Sequence, residues 1–362
     1  MMTTTTVSTE HASPSYITIP KNILITGGAG FIGHHVVEYF LKNTNHNLIC
    51  IDRLDYSGNL NRLNEVINRN RHKNRVKVIY HDLKAELSAS IQKQIGHVDF
   101  IFHLAVQSHV DRSIEFPMEF IQDNVIGTAN ILEYARKLKE LECFIYFSTD
   151  EVFGPALKGN NFTEYARYNS TNPYSATKAA GEEITVAYHN TFNVPAIITH
   201  TMNVFGHRQN PEKFIPGTIR KVKRGETVYI HSDPTKTYPG SRFYIFAEYV
   251  ADALNFLIGN KAHYRSPYTE DVYGAIKIQK YNIVGQKELN NLEIAQLIAN
   301  CVGKPLKYEL VDFHSSRPGH DLRYALSGDK MKLLGWVPPD TVENSLAQVV
   351  SWYERNEDWL NL

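Results

Sequence analysis

Asn22–Thr26 is a short apolar run, and it leads straight into Gly27-Gly28-Ala29-Gly30-Phe31-Ile32-Gly33, which opens a stretch of helical periodicity over Phe31–Leu41. Glycines between a strand and a helix allow a tight turn, a close backbone approach to a pyrophosphate, and close packing of helix on strand. Phosphates then rest on the free amides of the helix N-terminus. The next apolar run, Asn47–Asp52, ends in an acid. A carboxylate there accepts hydrogen bonds from ribose hydroxyls and repels a 2′-phosphate, so NAD is expected rather than NADP. Arg53 tempers that exclusion, because an arginine at this place can accommodate a phosphate. Asp82, after the third strand, can reach an adenine or simply cap a helix.

Such a turn belongs to an alternating fold, and the chain alternates. The runs Asn22–Thr26, Asn47–Asp52, Val76–Tyr80, Phe100–Leu104, Cys143–Ser148 and Ala196–Thr201 read as strands. Helical periodicity separates them at Phe31–Leu41, Asn59–Asn70, Phe120–Leu138 and Tyr174–Phe192. The expected fold class is α/β, a doubly wound parallel sheet, with a smaller C-terminal α/β substrate-binding region. The cofactor-binding domain is placed at 21–203, with returns near 243–259 and 280–285, and the mainly substrate-binding part at 204–362. Val204–Gly240 reads as irregular. The Thr-rich residues 1–20 read as a disordered tail.

Composition narrows the partners. The 38 Lys+Arg balance 38 Asp+Glu, which removes the footprint of a nucleic-acid or membrane-surface binder and favours a small molecule. No apolar run approaches the roughly 20 residues that cross a bilayer. Cys50, Cys143 and Cys301 are far apart and lack metal-type spacing with histidine, so no metal is expected. Cys50 and Cys143 fall in strand runs, as buried thiols of a reducing, cytoplasmic compartment do.

Tyr174 and Lys178 lie four apart at a helix start, which puts both side chains on one face. An ammonium there should lower the phenol pKa and make Tyr174 a base near neutral pH. The strand Cys143–Ser148 ends in Thr149-Asp150-Glu151, where strand carboxyl ends line the ligand crevice of this fold. A plain oxidation needs only Thr149, Tyr174 and Lys178. The adjacent acids Asp150 and Glu151 point to further proton transfers.

With these residues the chain resembles the extended short-chain dehydrogenase/reductases, and within them the dTDP-glucose and UDP-glucose 4,6-dehydratases. The likeness runs from Lys21 to Tyr353 and is carried by TGGAGFIG, DRLDYSGNL, HLAVQSHVDRSI, STDEVFG, YSATKAAGE, NPEKFIP and RPGHDLRYAL. The first and fifth segments mark the superfamily. STDEV, SHVDRS, PEK and RPGHD together mark the dehydratase branch.

The resemblance implies three steps. Tyr174 takes the proton of the sugar 4-hydroxyl as hydride leaves C4 for NAD, with Lys178 orienting the ribose and Thr149 bonding the 4-oxygen. Glu151 removes the C5 proton while Asp150 protonates the departing 6-hydroxyl. Hydride is then returned to C6, giving the nucleoside-diphosphate 4-keto-6-deoxyhexose of deoxysugar biosynthesis. The resemblance also sets Gly27, Gly30, Phe31, Ile32, Gly33, Asp52, Arg53, Asp82, Leu83, Leu104 and Ala105 against the cofactor, beside Tyr174 and Lys178. Ser108, Asn203, Glu212 and Lys213 would touch the substrate sugar, Arg242 and Arg317 its diphosphate, and His320 would line the nucleotide pocket. A homodimer is implied, paired through the helix before Cys143 and the Tyr174 helix.

Four departures from the family fall near the expected nucleotide site: His200, Met202, Phe243, and the long HSDPTKTYPGSRFYIF stretch around Arg242. Val204 and LDYSGN lean toward UDP-glucose enzymes. A nucleotide-sugar epimerase or decarboxylase shares the cofactor fold and the Tyr/Lys pair, but those families usually lack the acid at Asp150. A silent NAD-binding regulator would not need the Tyr/Lys pair and both acids together.

Overall fold

The computed structural model describes residues 19–55, 57–264, 278–312 and 322–361. Arg317, His320 and nearly all of the expected N-terminal tail lie outside the described residues. Seven parallel strands form the main sheet: β1 (Asn22–Thr26), β2 (Asn47–Asp52), β3 (Val76–Tyr80), β4 (Phe100–His103), β5 (Cys143–Thr149), β6 (Ala196–Thr201) and β10 (Gln279–Ile283). Their spatial order is β10-β6-β5-β4-β1-β2-β3. The order reverses between β1 and β4, the place where ligands bind in sheets of this kind.

Apart from the edge strand β3, which exposes Val78 and Tyr80, the sheet is buried on both faces, so its strands read as largely apolar runs. Alternate residues serve alternate faces. Ile23, Ile25, Phe100 and Phe102 pack with Val36 and Phe40 of the Phe31–Asn43 helix and with Val250 and Leu254 of the Ala247–Gly259 helix. Leu24, Ile101, Phe144 and Ile198 pack on the other face with Ile131 and Leu132 of the Gly127–Ala135 helix. Burying each such side chain contributes about 1.5–3 kcal/mol before entropy is counted.

The segment Phe120–Leu138, expected as one helix, has three parts. A turn of α-helix (Pro117–Phe120) runs into a π-helical turn (Ile121–Ile126), and α-helix resumes at Gly127–Ala135. Val204–Gly240 is not irregular. It contains β7 (Asn203–Phe205), the Phe214–Arg224 helix and β8 (Val228–Ser232). β7 pairs in parallel with β9 (Ser241–Phe246), which pairs antiparallel with β11 (Glu288–Asn290); β8 pairs in parallel with β12 (Tyr308–Asp312). Ile219, Ile230, Phe246, Ile294, Ile298, Leu346 and Tyr353 form the core around these strands. No helix among the described residues is long and apolar enough to cross a membrane.

Candidate active site

β1 ends at Gly27, whose φ of +73° suits glycine and whose added Cβ would meet Ala105 backbone atoms at 2.9 Å. Gly33 allows the closest packing: a Cβ there would lie 2.1 Å from the Gly27 carbonyl oxygen. No side chain caps the Phe31–Asn43 helix, whose N-cap is Gly30, so its first amides face the crevice. Asp52 is buried at the end of β2, taking the Ala29 amide on Oδ2 at 2.9 Å and the Leu54 amide on Oδ1 at 2.8 Å. Burial raises its pKa against these two amides. Leu83, Leu104 and Ala105 line the same cavity. So does Asp82, whose Oδ1 takes the Lys84 amide at 2.9 Å. A glycine cradle, an uncapped helix terminus and a buried acid on the cavity wall at the end of β2 fit a dinucleotide.

The crevice continues past Gly30, Phe31, Ile32 and Gly33 to Thr149, Asp150, Glu151, Tyr174 and Lys178, all on one cavity wall with Ser108, Asn203, Glu212 and Lys213. β5 delivers the acids. It stops at Thr149, whose side chain caps a single 3₁₀ turn, Asp150–Phe153. Gly154 closes that turn at φ +72°, where a Cβ would lie 2.4 Å from the Asn169 carbonyl oxygen. The Pro173–Phe192 helix starts with an Asn172/Ser175 capping box and proline in its first turn. This fixes Tyr174 at the helix mouth and Lys178 one turn deeper. Asn172 also donates to Glu151 Oε2 at 3.2 Å.

Burial raises the Asp150 pKa to about 6, against the Thr149 hydroxyl and Arg242. Thr149 donates to Asp150 Oδ1 at 2.9 Å, while Oδ2 is buried with no hydrogen-bond partner among the described residues. The expectation that Lys178 lowers the Tyr174 pKa is not met. Burial, then Glu151, raises the phenol well above its ordinary value, and only the Thr149 hydroxyl offsets this appreciably. Burial pushes Lys178 itself down to about 7, with Glu182 opposing. Its ammonium is directed at the Phe147 carbonyl, 2.7 Å away, and over the Tyr146 ring at 4.2 Å.

Arg242 lies in an adjoining cavity that shares Ser108, Glu151, Asn203, Glu212 and Lys213 with the first. Its guanidinium stacks over Tyr324 at 4.7 Å and donates to the Ser241 carbonyl at 2.7 Å. His200 is not at a nucleotide site. It is fully buried in β6, between Glu182 Oε2 at 3.1 Å and Asn282 Oδ1 at 3.0 Å. Met202 packs on Val152, Phe153 and Tyr324 and also lines the catalytic cavity. Within Ser232–Ser241, Asp233 holds a surface turn by accepting the Thr237 and Tyr238 amides, and the flanking His231 and Gly240 reach the Arg242 cavity.

Sequence reasoning missed three participants. Gln107 lines both halves of the crevice, His109 stands 3.8 Å from Glu212, and Asp123 grips Arg53. The first two lie inside HLAVQSHVDRSI and could have been read from that segment. Asp123 carries no local signal.

This crevice, with its Tyr/Lys helix and its glycine turn at the strand-order reversal, defines an extended short-chain dehydrogenase/reductase. A family model described as GDP-mannose 4,6 dehydratase matches residues 24–349. The dTDP-glucose 4,6-dehydratase of Neisseria gonorrhoeae is 36% identical over 93% of this chain and 96% of its own. A trifunctional UDP-glucose 4,6-dehydratase/UDP-4-keto-6-deoxy-D-glucose 3,5-epimerase/UDP-4-keto-L-rhamnose-reductase of Arabidopsis thaliana is 35% identical over 94% of this chain, which matches 48% of that longer protein. The structure of dTDP-glucose 4,6-dehydratase from Bacillus anthracis in complex with NAD superposes with a TM-score of 0.77 at 31% identity, covering 94% of this chain and 98% of that one. Within its class, the chain belongs to the dTDP-glucose/UDP-glucose 4,6-dehydratase family.

Proposed function

We propose that this protein is an NAD-dependent lyase that converts UDP-glucose or dTDP-glucose to the 4-keto-6-deoxyglucose nucleotide and water. The observation that carries this reading is the pair Asp150 and Glu151, set in one cavity with Tyr174 and Lys178. Oxidation at C4 needs only Thr149, Tyr174 and Lys178, whereas elimination of water needs a proton donor, and burial raises the Asp150 pKa to about 6.

The glycine turn, the Phe31–Asn43 helix and Asp52 would hold NAD, which when bound accepts the C4 hydrogen and gives it back at C6. Tyr174 takes the proton of the 4-hydroxyl, and Thr149 bonds the 4-oxygen. Lys178 orients the ribose. The ketone at C4 acidifies the C5 hydrogen, which Glu151 removes as a proton and gives back to C5 when C6 is reduced. Asp150 delivers its proton to the 6-hydroxyl, which departs as water. Ser108, Asn203, Glu212 and Lys213 contact the sugar, and Arg242 the diphosphate, where a guanidinium forms paired bonds; by the family resemblance Arg317 would join it on the diphosphate and His320 would line the nucleotide pocket.

In this reading residues 21–203, with the returning 243–259 and 280–285, bind the cofactor, and 204–362 mainly the sugar nucleotide. The working form is a cytoplasmic homodimer. Met118, Ile121 and Ile126, on the segment before β5, are exposed, as is Phe192 at the end of the Tyr174 helix; pairing these faces in a four-helix contact would cover them. Mass and NMR analysis of the products from UDP-glucose and dTDP-glucose tests the proposal. A 4-keto-6-deoxyhexose nucleotide supports it; a 4-epimer as sole product overturns it.

A further inference from the structure

The arginine that follows Asp52 is already occupied. Arg53 forms a two-pronged pair with Asp123, Nη1 to Oδ1 at 2.5 Å and Nη2 to Oδ2 at 2.8 Å. Its Nε donates to Asp55 Oδ2 at 2.6 Å, and Nη2 lies 2.5 Å from the same oxygen. A guanidinium has five N–H donors; three of them are hydrogen-bonded to these two acids, and Asp82 Oδ1 lies 3.7 Å from Nη1. Asp123 is itself fixed: its side chain is 7% exposed, and Gln107 Nε2 donates to its Oδ2 at 2.8 Å. It sits on the π-helical turn Ile121–Ile126, which the neighbouring Asn124 anchors to both the Gln107 backbone and Thr177.

In dinucleotide folds, an arginine near this strand end is the group that admits the 2′-phosphate of NADP. We propose that Asp123, assisted by Asp55, is a cofactor-specificity residue: by holding Arg53 it withholds from a 2′-phosphate the cation that Asp52 alone would leave within reach. Rejection of NADP then has two layers. Asp52 repels the phosphate and takes the ribose hydroxyls in its place, while Asp123 and Asp55 disarm Arg53. A phosphorylated ribose gains nothing from the guanidinium unless it breaks a part-buried, two-pronged ion pair, whose loss leaves the largely buried Asp123 carboxylate with only the more distant Lys84 ammonium, at 4.0 Å, as counter-charge.

The inference rests on the NAD reading above. Its test is binding, independent of turnover: the cofactor extracted from purified protein is identified by mass, and NADP is then titrated against bound NAD with the displaced NAD counted by chromatography. Asp123→Asn keeps the size of the side chain but removes the charge and one prong. It should raise the ratio of NADP to NAD affinity by ~10- to 100-fold, the worth of one charged hydrogen bond. Asp55→Asn, on the more exposed side of Arg53, should move the ratio in the same direction and serves if Asp123→Asn does not fold. In an Arg53→Gln background either gain should vanish. The proposal is overturned if both single variants keep the wild-type ratio while retaining NAD, or if the gain persists without Arg53. Wild-type protein that retains no NAD, or prefers NADP, instead overturns the NAD reading beneath it.

Discussion

Thr149 donates its hydroxyl to Asp150 Oδ1 at 2.9 Å, which divides one carboxyl into a held oxygen and a buried one, Oδ2, without a hydrogen-bond partner among the described residues. An acid built this way presents its proton from a fixed direction. Asp150→Asn preserves the size and the Thr149 contact but has no proton to transfer. The variant should still reduce its bound NAD on meeting substrate, while water loss slows by ~10²- to 10⁴-fold, the range for a missing general acid. Stopped-flow absorbance of NADH beside product NMR separates the two steps. Wild-type dehydration by Asp150→Asn would remove Asp150 from the acid role.

Glu151 and Tyr174 should fail at different stages. Glu151→Gln loses the base at C5, so exchange of the C5 hydrogen with deuterated solvent should fall by ~10²-fold or more while NADH still forms. Tyr174→Phe should abolish NADH formation itself. The losses need not add when both are changed, because residues that act as a unit seldom give additive effects. NADH formation at the wild-type rate in Tyr174→Phe would show that another group takes the 4-hydroxyl proton.

The parts legible in the sequence are those whose cause is local. β1, β2, β3 and β6 have the bounds read from their sequence runs; β1, β2 and β6 are covered on both faces and so largely apolar, while β3, at the sheet edge, exposes Val78 and Tyr80. The glycine turn and the Thr149–Glu151 strand end were legible for the same reason: each is a short segment with its chemistry in order. What was not legible depends on distant partners. Helical periodicity does not distinguish the π-helical turn Ile121–Ile126 from α-helix, and β8 looked irregular because its partner β12 comes much later in the chain. The Lys178 pKa follows from burial between β5 and its own helix, which i, i+4 spacing cannot report. His200 looked like a ligand-site departure until Glu182 and Asn282 were found on either side of its ring.

Glu182 is the centre of a buried polar network that backs the catalytic wall. It accepts from Ser148 at 2.5 Å, Tyr168 at 2.6 Å, and Lys280 and His200 at 3.1 Å each. Burial opposes its ionisation, yet His200, Lys280 and Ser148 hold its pKa well below the ordinary range. Glu182→Gln would leave buried cationic groups without their counter-charge and should cost about 3–5 kcal/mol, the range for breaking a buried pair from one side. Urea unfolding measures this, and a loss below ~1 kcal/mol would mean the network relaxes around the amide.

The proposed dimer predicts a charge-sensitive surface. Ile126→Asp or Met118→Asp places a carboxylate in the middle of the four-helix contact and should give monomers at micromolar concentration by light scattering. Both side chains are exposed in the single chain, Met118 at 63%, so the fold of each protomer should persist by circular dichroism. Wild-type protein that scatters as a monomer would refute the arrangement.

The raised pKa of Asp150 makes a statement about stability whose sign can be checked. Its folded value is about 6, against an unfolded value near 3.9. Between these two values the folded chain holds the proton more often than the unfolded chain does. The contribution is therefore fully present below about pH 4 and is lost as pH rises through about 6. A shift of this size corresponds to about 3 kcal/mol, a cost that wild-type protein carries at pH 8 for ionising a buried carboxyl. Asp150→Asn cannot ionise and escapes it. The variant should therefore be more stable than wild type at pH 8, with the difference shrinking to about a third of that by pH 4.5 and toward zero near pH 3. Every other titrating group, Lys178 included, is common to both proteins and largely cancels in the comparison. Urea unfolding of the pair at pH 8 and pH 4.5 measures the difference directly. An equal gap at both would mean that Asp150 keeps an ordinary carboxylate pKa, and the case for it as a proton donor near neutral pH would lose its physical basis.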